Sequence, residues 1–398
     1  MGLALSEAAT GTDLAGLREL NSLTVVRSLR GHPPATVSEL AARTGLSRPS
    51  VDVMLQSLTA DGWVTVIEPS GSVVGRPARR YQFNSAVGHV LGVDLGAHKV
   101  LALLADLDGN VMHSTRRHVN PQAPPRVRLT ALDRAISDCV GEAGLSPSDL
   151  WQITIGVTGP VDATGRTALF SPLPGWAAVD PVAHFGAIYR CPTQVENDCK
   201  LAAVAERWRG IAQDANDIVY LLAGMRTGAG LIIDGALRRG YGGAAGEIGA
   251  LKAVKWLSAP SHLERCPGVP RTVSADDKAA WVFNAARDGN AAALRAIRRY
   301  VRDLAIGAAA LVLALDPQVV VLGGGFSRSA DLIVDALRRE LQHLCLRVPD
   351  VRASTLGDES VALGALRLGL DEVDHWLATQ GLSSAGGPPT RSAPAASA

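Results

Sequence analysis

Aromatic side chains are scarce in this sequence, 4% of 398 residues, so a buried core has to be assembled from Ala, Val and Leu. The hydrophobic fraction of 47% is ample for one. Cysteines are few as well. Cys139, Cys191, Cys199, Cys266 and Cys345 are scattered, with no C-x-x-C pair, which fits neither a disulfide framework nor a plain zinc motif. The longest apolar stretch, Ala308 to Leu315, falls far short of the roughly 20 residues that span a bilayer. No apolar run follows a basic N-terminal segment as it does in a signal peptide. The expectation is a cytoplasmic protein with no membrane partner. An excess of one charge sign is missing too: 39 basic residues stand against 38 acidic ones. That excludes a wholly basic, histone-like binder, and any contact with nucleic acid must rest on a local patch.

The length predicts two or three domains, and the composition changes near residue 85. Short amphipathic helices come before it; glycine-broken β-runs such as Val90–Asp94 and Val100–Ala105 come after it. The reading is a loose segment over 1–12, a first domain over 13–84, a second over 85–382, and a Ser/Ala/Pro/Gly tail over 383–398 expected to be disordered. A weak repeat lies inside the second domain. Val90–Ala97 leads through Lys99–Ala105 to Asp108-Gly109, and Ile218–Ala223 leads through Thr227–Ile233 to Asp234-Gly235. Both read strand, glycine turn, strand, Asp-Gly turn, and Asp-Gly between apolar runs is a hairpin signal. Two copies suggest two similar lobes facing a cleft; the alternative is that any α/β protein carries such hairpins.

In the first domain, Leu17, Leu20, Leu23, Val26 and Leu29 form an apolar stripe at helical spacing over Asp13–Arg30. Thr36-Val37-Ser38-Glu39 is a capping box that starts a short helix through Arg43, and Gly45 ends it. Ser47 caps a third helix, with Pro49 in its first turn, running to about Ala60. Helix, tight turn, helix is the DNA-binding pattern. Ser47, Arg48, Ser50 and Asp52, at the exposed start of that third helix, are the candidates for major-groove contacts. A strand beginning at Gly62–Ile67 and returning at Tyr81–Phe83 makes a wing. Its returning arm carries Arg76, Arg79 and Arg80, set for a narrow minor groove. The alternatives are a winged helix used for protein contact, or a three-helix domain with a solvated arginine cluster.

In the second domain, a site for a ligand hydroxyl needs paired donors and acceptors. Asn197 offers both, and Asp198 can accept a hydroxyl proton, the base role in phosphoryl transfer. Gly96, Gly228 and Gly230 would let backbone amides approach phosphate. Six motifs follow in order: Gly92–Gly96, Gly156–Asp162, Ser171–Trp176, Glu196-Asn197-Asp198, Gly243–Gly249 and Val321–Gly325. On these motifs the chain from about Gly88 to Leu377 resembles the ROK family of repressors and sugar kinases. The winged-helix segment resembles the one fused to that family's repressors. The resemblance implies an α/β fold: an N-terminal winged helix-turn-helix plus a two-lobed actin-like, sugar-kinase (ribonuclease H-like) domain. It implies sugar contacts from Asn197, Asp198, Glu247 and Gly159. It also implies a vestigial phosphate region at Asp94, Gly96, Thr227, Gly228, Gly230 and Gly324.

The departures bear on mechanism. The family's Asp-x-Gly-Gly-Thr phosphate turn is Asp94-Leu95-Gly96-Ala97-His98 here, which crowds ATP. The histidine after Gly-Glu-Ile-Gly is Ala250. Of the family's cysteine-rich zinc segment only Cys266 is left, and structural zinc wants four donors. His262, Glu264 and Cys266 are the one improvised set available. Arg271 stands near the place of a second sugar glutamate, which suits an anionic sugar. The expectation is therefore a DNA-binding regulator of carbohydrate metabolism, a repressor, without zinc, ATP or other cofactor and without kinase activity. Its partners would be operator DNA and a sugar or sugar-phosphate effector, and it would act as a homodimer or dimer of dimers. The helices read over Asn284–Leu315 and Val361–Leu377 are the candidate hinge or dimer elements. The alternatives are a sugar kinase with a fused DNA-binding domain, and a regulator whose lobes serve only to dimerise.

Overall fold

Capping decides the first three helices of the computed structural model, which describes residues 14–67, 78–167 and 171–382. Helix α1 spans Leu14–Leu29, α2 Val37–Thr44 and α3 Arg48–Ala60. Thr36 and Glu39 form the reciprocal capping box, Gly45 closes α2 in the left-handed conformation at φ 72°, and Ser47 caps α3 through the Ser50 amide. Strands β1 (Val64–Ile67) and β2 (Arg80–Phe83) pair antiparallel as the base of the wing. One expectation fails in part. Leu23, Val26 and Leu29 of the α1 stripe are buried, but Leu17 and Leu20 are exposed, and Val25 takes their place in the core. The predicted loose start over 1–12 and the tail over 383–398 lie outside the described residues.

The remaining chain builds two sheets. The first uses β3 (His89–Leu95), β4 (Lys99–Asp106), β5 (Val111–His118), β6 (Leu150–Val157) and β7 (Thr193–Asn197), with α4 (Pro125–Glu142), α5 (Pro181–Tyr189) and α6 (Asp198–Trp208) between and after its strands. The second uses β8 (Ile218–Leu222), β9 (Gly228–Ile233), β10 (Ala236–Leu237), β11 (Val319–Gly323) and β12 (Asp350–Ala353). With it come α7 (Ser261–Glu264), α8 (Lys278–Arg287), α9 (Ala291–Leu315), α10 (Ala330–Leu344) and α11 (Ser360–Gln380). The strand orders are β5-β4-β3-β6-β7 and β10-β9-β8-β11-β12. In each, an antiparallel hairpin pair precedes two parallel strands added on the other side. The weak sequence repeat is thus a repeat of topology, and Gly109 and Gly235 make the Asp-Gly turns with positive φ. The helix read over Asn284–Leu315 is interrupted: α8 stops, Gly289 takes φ 83°, and Asn290 caps α9 through the amides of Ala292 and Ala293.

Helix α6 packs on β8 and β9, α11 packs on β3 and β6, and the two helices pack on each other. They fit because side chains are missing at the crossing points. A Cβ at Gly364 would stand 1.8 Å from the Leu201 carbonyl oxygen, and one at Gly92 would stand 2.4 Å from that of Ala362. The far end of α11 reaches the first domain. Leu366, Leu370, Val373 and Leu377 share one hydrophobic cluster with Leu29, Leu40, Leu55 and Trp63. Trp151 sits edge-on between Trp63 and Trp376, with centroids 5.7 and 5.8 Å away. Polar ties reinforce the contact: Arg30 pairs with Asp374 and donates from Nε to the Leu107 carbonyl at 2.8 Å, and Trp63 Nε1 donates to the Leu382 carbonyl at 3.2 Å.

Candidate functional site

Two places carry candidate chemistry. The first is the start of α3. Arg48 is exposed there, Ser47 and Ser50 share a hydroxyl contact of 2.7 Å, and Asp52 Oδ2 accepts from Gln56 Nε2 at 3.0 Å. Gln56 was missed by the sequence reading. It is exposed one turn after Asp52, and an amide of this kind matches the edge of adenine. Arg79 is exposed; Arg80 donates to the Pro34 carbonyl and stands 3.5 Å from Glu39, which ties the wing to the cap of α2. Arg76 lies outside the described residues.

The second place is the start of α6, where β7 ends. Asn197 is buried and caps this helix: its Oδ1 accepts from the Lys200 amide at 3.1 Å. Its Nδ2 donates to the Gly159 carbonyl at 3.0 Å and to Asp198 Oδ1 at 3.1 Å. Gly159 holds φ 109°, so the loop after β6 can bring that carbonyl in. Asp198 Oδ1 also accepts from the Cys199 amide at 2.8 Å. Burial raises the Asp198 carboxyl above the usual range, against hydrogen bonds from Thr158 and Cys199. Glu247, on the loop after β10, is half-buried, and burial raises its carboxyl too, opposed by the Lys200 ammonium and reinforced by Asp198. Glu247 therefore lies within electrostatic reach of both Asp198 and Lys200. Lys200 is fully buried and donates to the Gly243 carbonyl. Behind them, Glu196 accepts from the Asn197 amide at 2.9 Å and from Arg239 Nε at 2.6 Å. The sequence reading named Glu196 only as part of a motif, and it missed Lys200 and Arg239. Adjacency to the Asn-Asp pair was the signal for the first two; nothing marked Arg239. Arg271 is exposed, and among the described residues it shares no hydrogen bond or ion pair with this cluster.

The residues of the expected phosphate region are closely packed. A Cβ at Gly228 would stand 2.7 Å from Cys199 Sγ, and one at Gly230 would stand 2.2 Å from the Cys199 carbonyl oxygen. These glycines let the β8–β9 hairpin lie against the start of α6. Gly324, at φ 81°, brings β11 against the Ala223 carbonyl. Thr227 buries its hydroxyl beside that of Tyr300. Gly96 gives its carbonyl to Arg128, a fully buried guanidinium that also bonds the carbonyls of Ala97, Asn120 and Pro121. Asp94 is buried 3.3 Å from Lys99 Nζ, and burial pushes its carboxyl up to about 6 despite that ammonium. Lys99 also reaches the Asp358 carbonyl at 2.7 Å. Asp94 and Lys99 thus form an internal ion pair at this turn.

The improvised metal set is dispersed into other contacts. His262 Nε2 is held by Asp303 Oδ2 at 2.8 Å, Cys266 is buried, and Glu264 is exposed. No group of three or more His, Cys, Asp or Glu among the described residues is arranged to hold a metal ion.

The build is that of an HTH-bearing two-lobed sugar-kinase fold. The ROK family model matches residues 90–267 and 271–372, and the chain belongs to the ROK family. The IclR helix-turn-helix domain model matches residues 20–67. A xylose repressor of Caldicellulosiruptor bescii is 23% identical over 386 residues, covering 90% of this chain and 97% of the relative. A glucokinase of Streptomyces coelicolor is 27% identical over 316 residues, covering 71% of this chain and 98% of the relative. Among solved structures, a ROK family transcriptional regulator described as a homolog of the E. coli MLC protein superposes with a TM-score of 0.65 at 19% identity, over 89% of this chain and 96% of that one. The match to the repressor takes in the HTH domain as well as the lobes. No helix among the described residues is long and apolar enough to cross a membrane.

Proposed function

We propose that this chain is an operator-binding transcriptional repressor of carbohydrate metabolism whose DNA affinity is set by a sugar or sugar derivative at Asn197, Asp198 and Glu247. One observation carries the reading. Helix α11 packs at backbone contact distance on α6, whose first turn holds the sugar candidates, and its other end shares a core with the helix-turn-helix. A ligand that moves α6 therefore has a solid path to the DNA-binding domain. Coupling requires only that the ligand prefer one of the two orientations. Two copies of α3, in a homodimer or dimer of dimers, would read two half-sites about one helical turn apart. Exposed Arg48 and Arg79 would supply phosphate contacts, so binding should weaken steeply with salt.

The same reading assigns no kinase activity and no zinc or ATP requirement. The Asp94–Lys99 pair and the packed glycines 228 and 230 support it. Asp198 favours the other reading, because a carboxyl whose pKa is raised by burial is suited to the base of a phosphoryl transfer. Fluorescence anisotropy on DNA from upstream of the chain's own gene, with a sugar panel and with ATP, separates them. Binding altered by one sugar without ATP consumption supports the repressor. ATP-dependent phosphorylation of a sugar, with no DNA binding, supports the kinase.

A further inference from the structure

Where the family's zinc segment would stand, the fold holds a cavity of about 420 Å³ between α7 and the first three turns of α9. Arg265, Arg295, Arg299 and His262 line it, and no carboxylate does. Among the described residues, none of the three arginines has an acidic partner within ion-pair distance or a hydrogen-bonded carboxylate. Two more arginines on α9 add to that charge, against Glu264 beside Arg265 and Asp303 bonded to His262. Arg295, Arg298, Arg299 and Arg302 lie within one face of α9, at spacings of three, four and seven residues, and all are exposed. The first acid along that stretch, Asp303, is taken by His262. The cavity also opens beside the first turn of α9, through Ala292, where the helix dipole is positive. Arginines gathered at that end of a helix repel one another and the dipole. The arrangement becomes favourable once an anion enters, and planar guanidinium forks match a phosphoryl group through paired hydrogen bonds.

We propose that this cavity is an anion site for a small phosphorylated ligand, separate from the sugar cleft. The chemistry it selects is a phosphoryl group small enough for the cavity, either free or carried on a metabolite. Its position also gives it a route to the cleft. Asp303 adjoins Leu304, whose carbonyl accepts from Trp256 Nε1 at 3.1 Å. The Trp256 ring packs under Gly307 of α9 and against Gly249, two residues beyond Glu247. An anion that draws α7 and α9 together pulls on the helix against which Glu247's turn is seated.

The test is isothermal titration of the full chain at constant ionic strength, with inorganic phosphate, pyrophosphate and glucose 6-phosphate as probes and chloride as the background anion. Saturable binding of at least one probe is expected, with affinity reduced tenfold or more in the double variant R295A/R299A. Arg265→Glu should do the same, and it serves as the second variant because its side chain is exposed. Binding should persist in the double variant N197A/E247A, which disables the sugar cleft. Inorganic phosphate and pyrophosphate binding as well as glucose 6-phosphate identifies a free anion as sufficient; preference for glucose 6-phosphate identifies a carried one. Either supports the site. Three results overturn it: no saturable binding by any probe, affinity unchanged in both arginine variants, or loss of binding only in N197A/E247A. A fall in operator affinity in R295A/R299A without any small-anion binding also overturns it, since the patch would then serve DNA.

Discussion

Gly364→Ala should uncouple the sensor from the DNA-binding domain. Two terms of opposite sign decide its stability effect. Alanine in a helix interior is favoured over glycine by about 1 kcal/mol, and the backbone at 364 is ordinary helix. Against that, the new Cβ would stand 1.8 Å from the Leu201 carbonyl oxygen, a backbone atom that no rotamer change can move. Helix α11 must back away from α6 by more than an ångström to restore a normal contact. Overpacking of this kind costs about 1–3 kcal/mol and occasionally more, so the clash outweighs the propensity gain. The variant should unfold several degrees below the parent in a thermal melt. Gly141→Ala is the control: it too lies in a helix, and a Cβ there meets nothing within 4 Å. It should stabilise by about 0.5–1 kcal/mol. In anisotropy, G364A should still bind operator while its response to sugar is blunted, because the atoms a Cβ at 364 meets belong to Leu201 of α6 and not to the first domain. A G364A protein as stable as the parent and with full sugar response would refute the argument that α11 transmits by close contact with α6.

Four further substitutions have expected outcomes. Glu247→Gln should abolish the sugar effect on operator affinity without changing affinity in its absence; Asn197→Ala should do likewise and in addition lower stability by about 0.5–2 kcal/mol, since it removes the cap of α6. Asp94→Asn should have a pH-dependent effect. Burial lifts the Asp94 carboxyl from 3.8 to about 6, so between those values the folded state keeps a proton that the unfolded chain releases. Stability is lost as pH rises through that window, by roughly 3 kcal/mol. Denaturant melts should therefore show D94N gaining on the parent from pH 4 to pH 7; a parallel pair of curves would contradict the assignment. Arg128→Ala removes a buried guanidinium that bonds four carbonyls. It should destabilise by about 3 kcal/mol or more, which chemical denaturation reads directly, and a near-neutral result would mean that water replaces the clamp at little cost.

What was legible in the sequence was mostly local. Thr36, Glu39, Gly45 and Ser47 announce their caps by identity and spacing, and each cap is present. The two Asp-Gly hairpins were equally plain, and they led to the two lobes. Helix α1 shows the limit of periodicity. Its stripe is correct only from Leu23 onward, because the buried face is the one that meets α2, α3 and β2, and their placement is not encoded in the periodicity of α1. The break at Gly289-Asn290 had a signal, a glycine followed by a capping residue, that the long apolar run obscured. Arg128 was not legible: a charged residue is buried only where carbonyls from distant segments converge, and no spacing encodes that. Gly228 and Gly230 were assigned to phosphate, yet the atom each makes room for is on Cys199. A glycine marks a close approach without naming what approaches.

The most direct measurement is operator affinity by fluorescence anisotropy, for the parent chain and for E247Q, with and without each member of a sugar panel. The account predicts salt-sensitive binding by both proteins, shifted by one sugar or sugar derivative in the parent alone and without ATP. Binding that no sugar alters, or a shift that survives in E247Q, would contradict it.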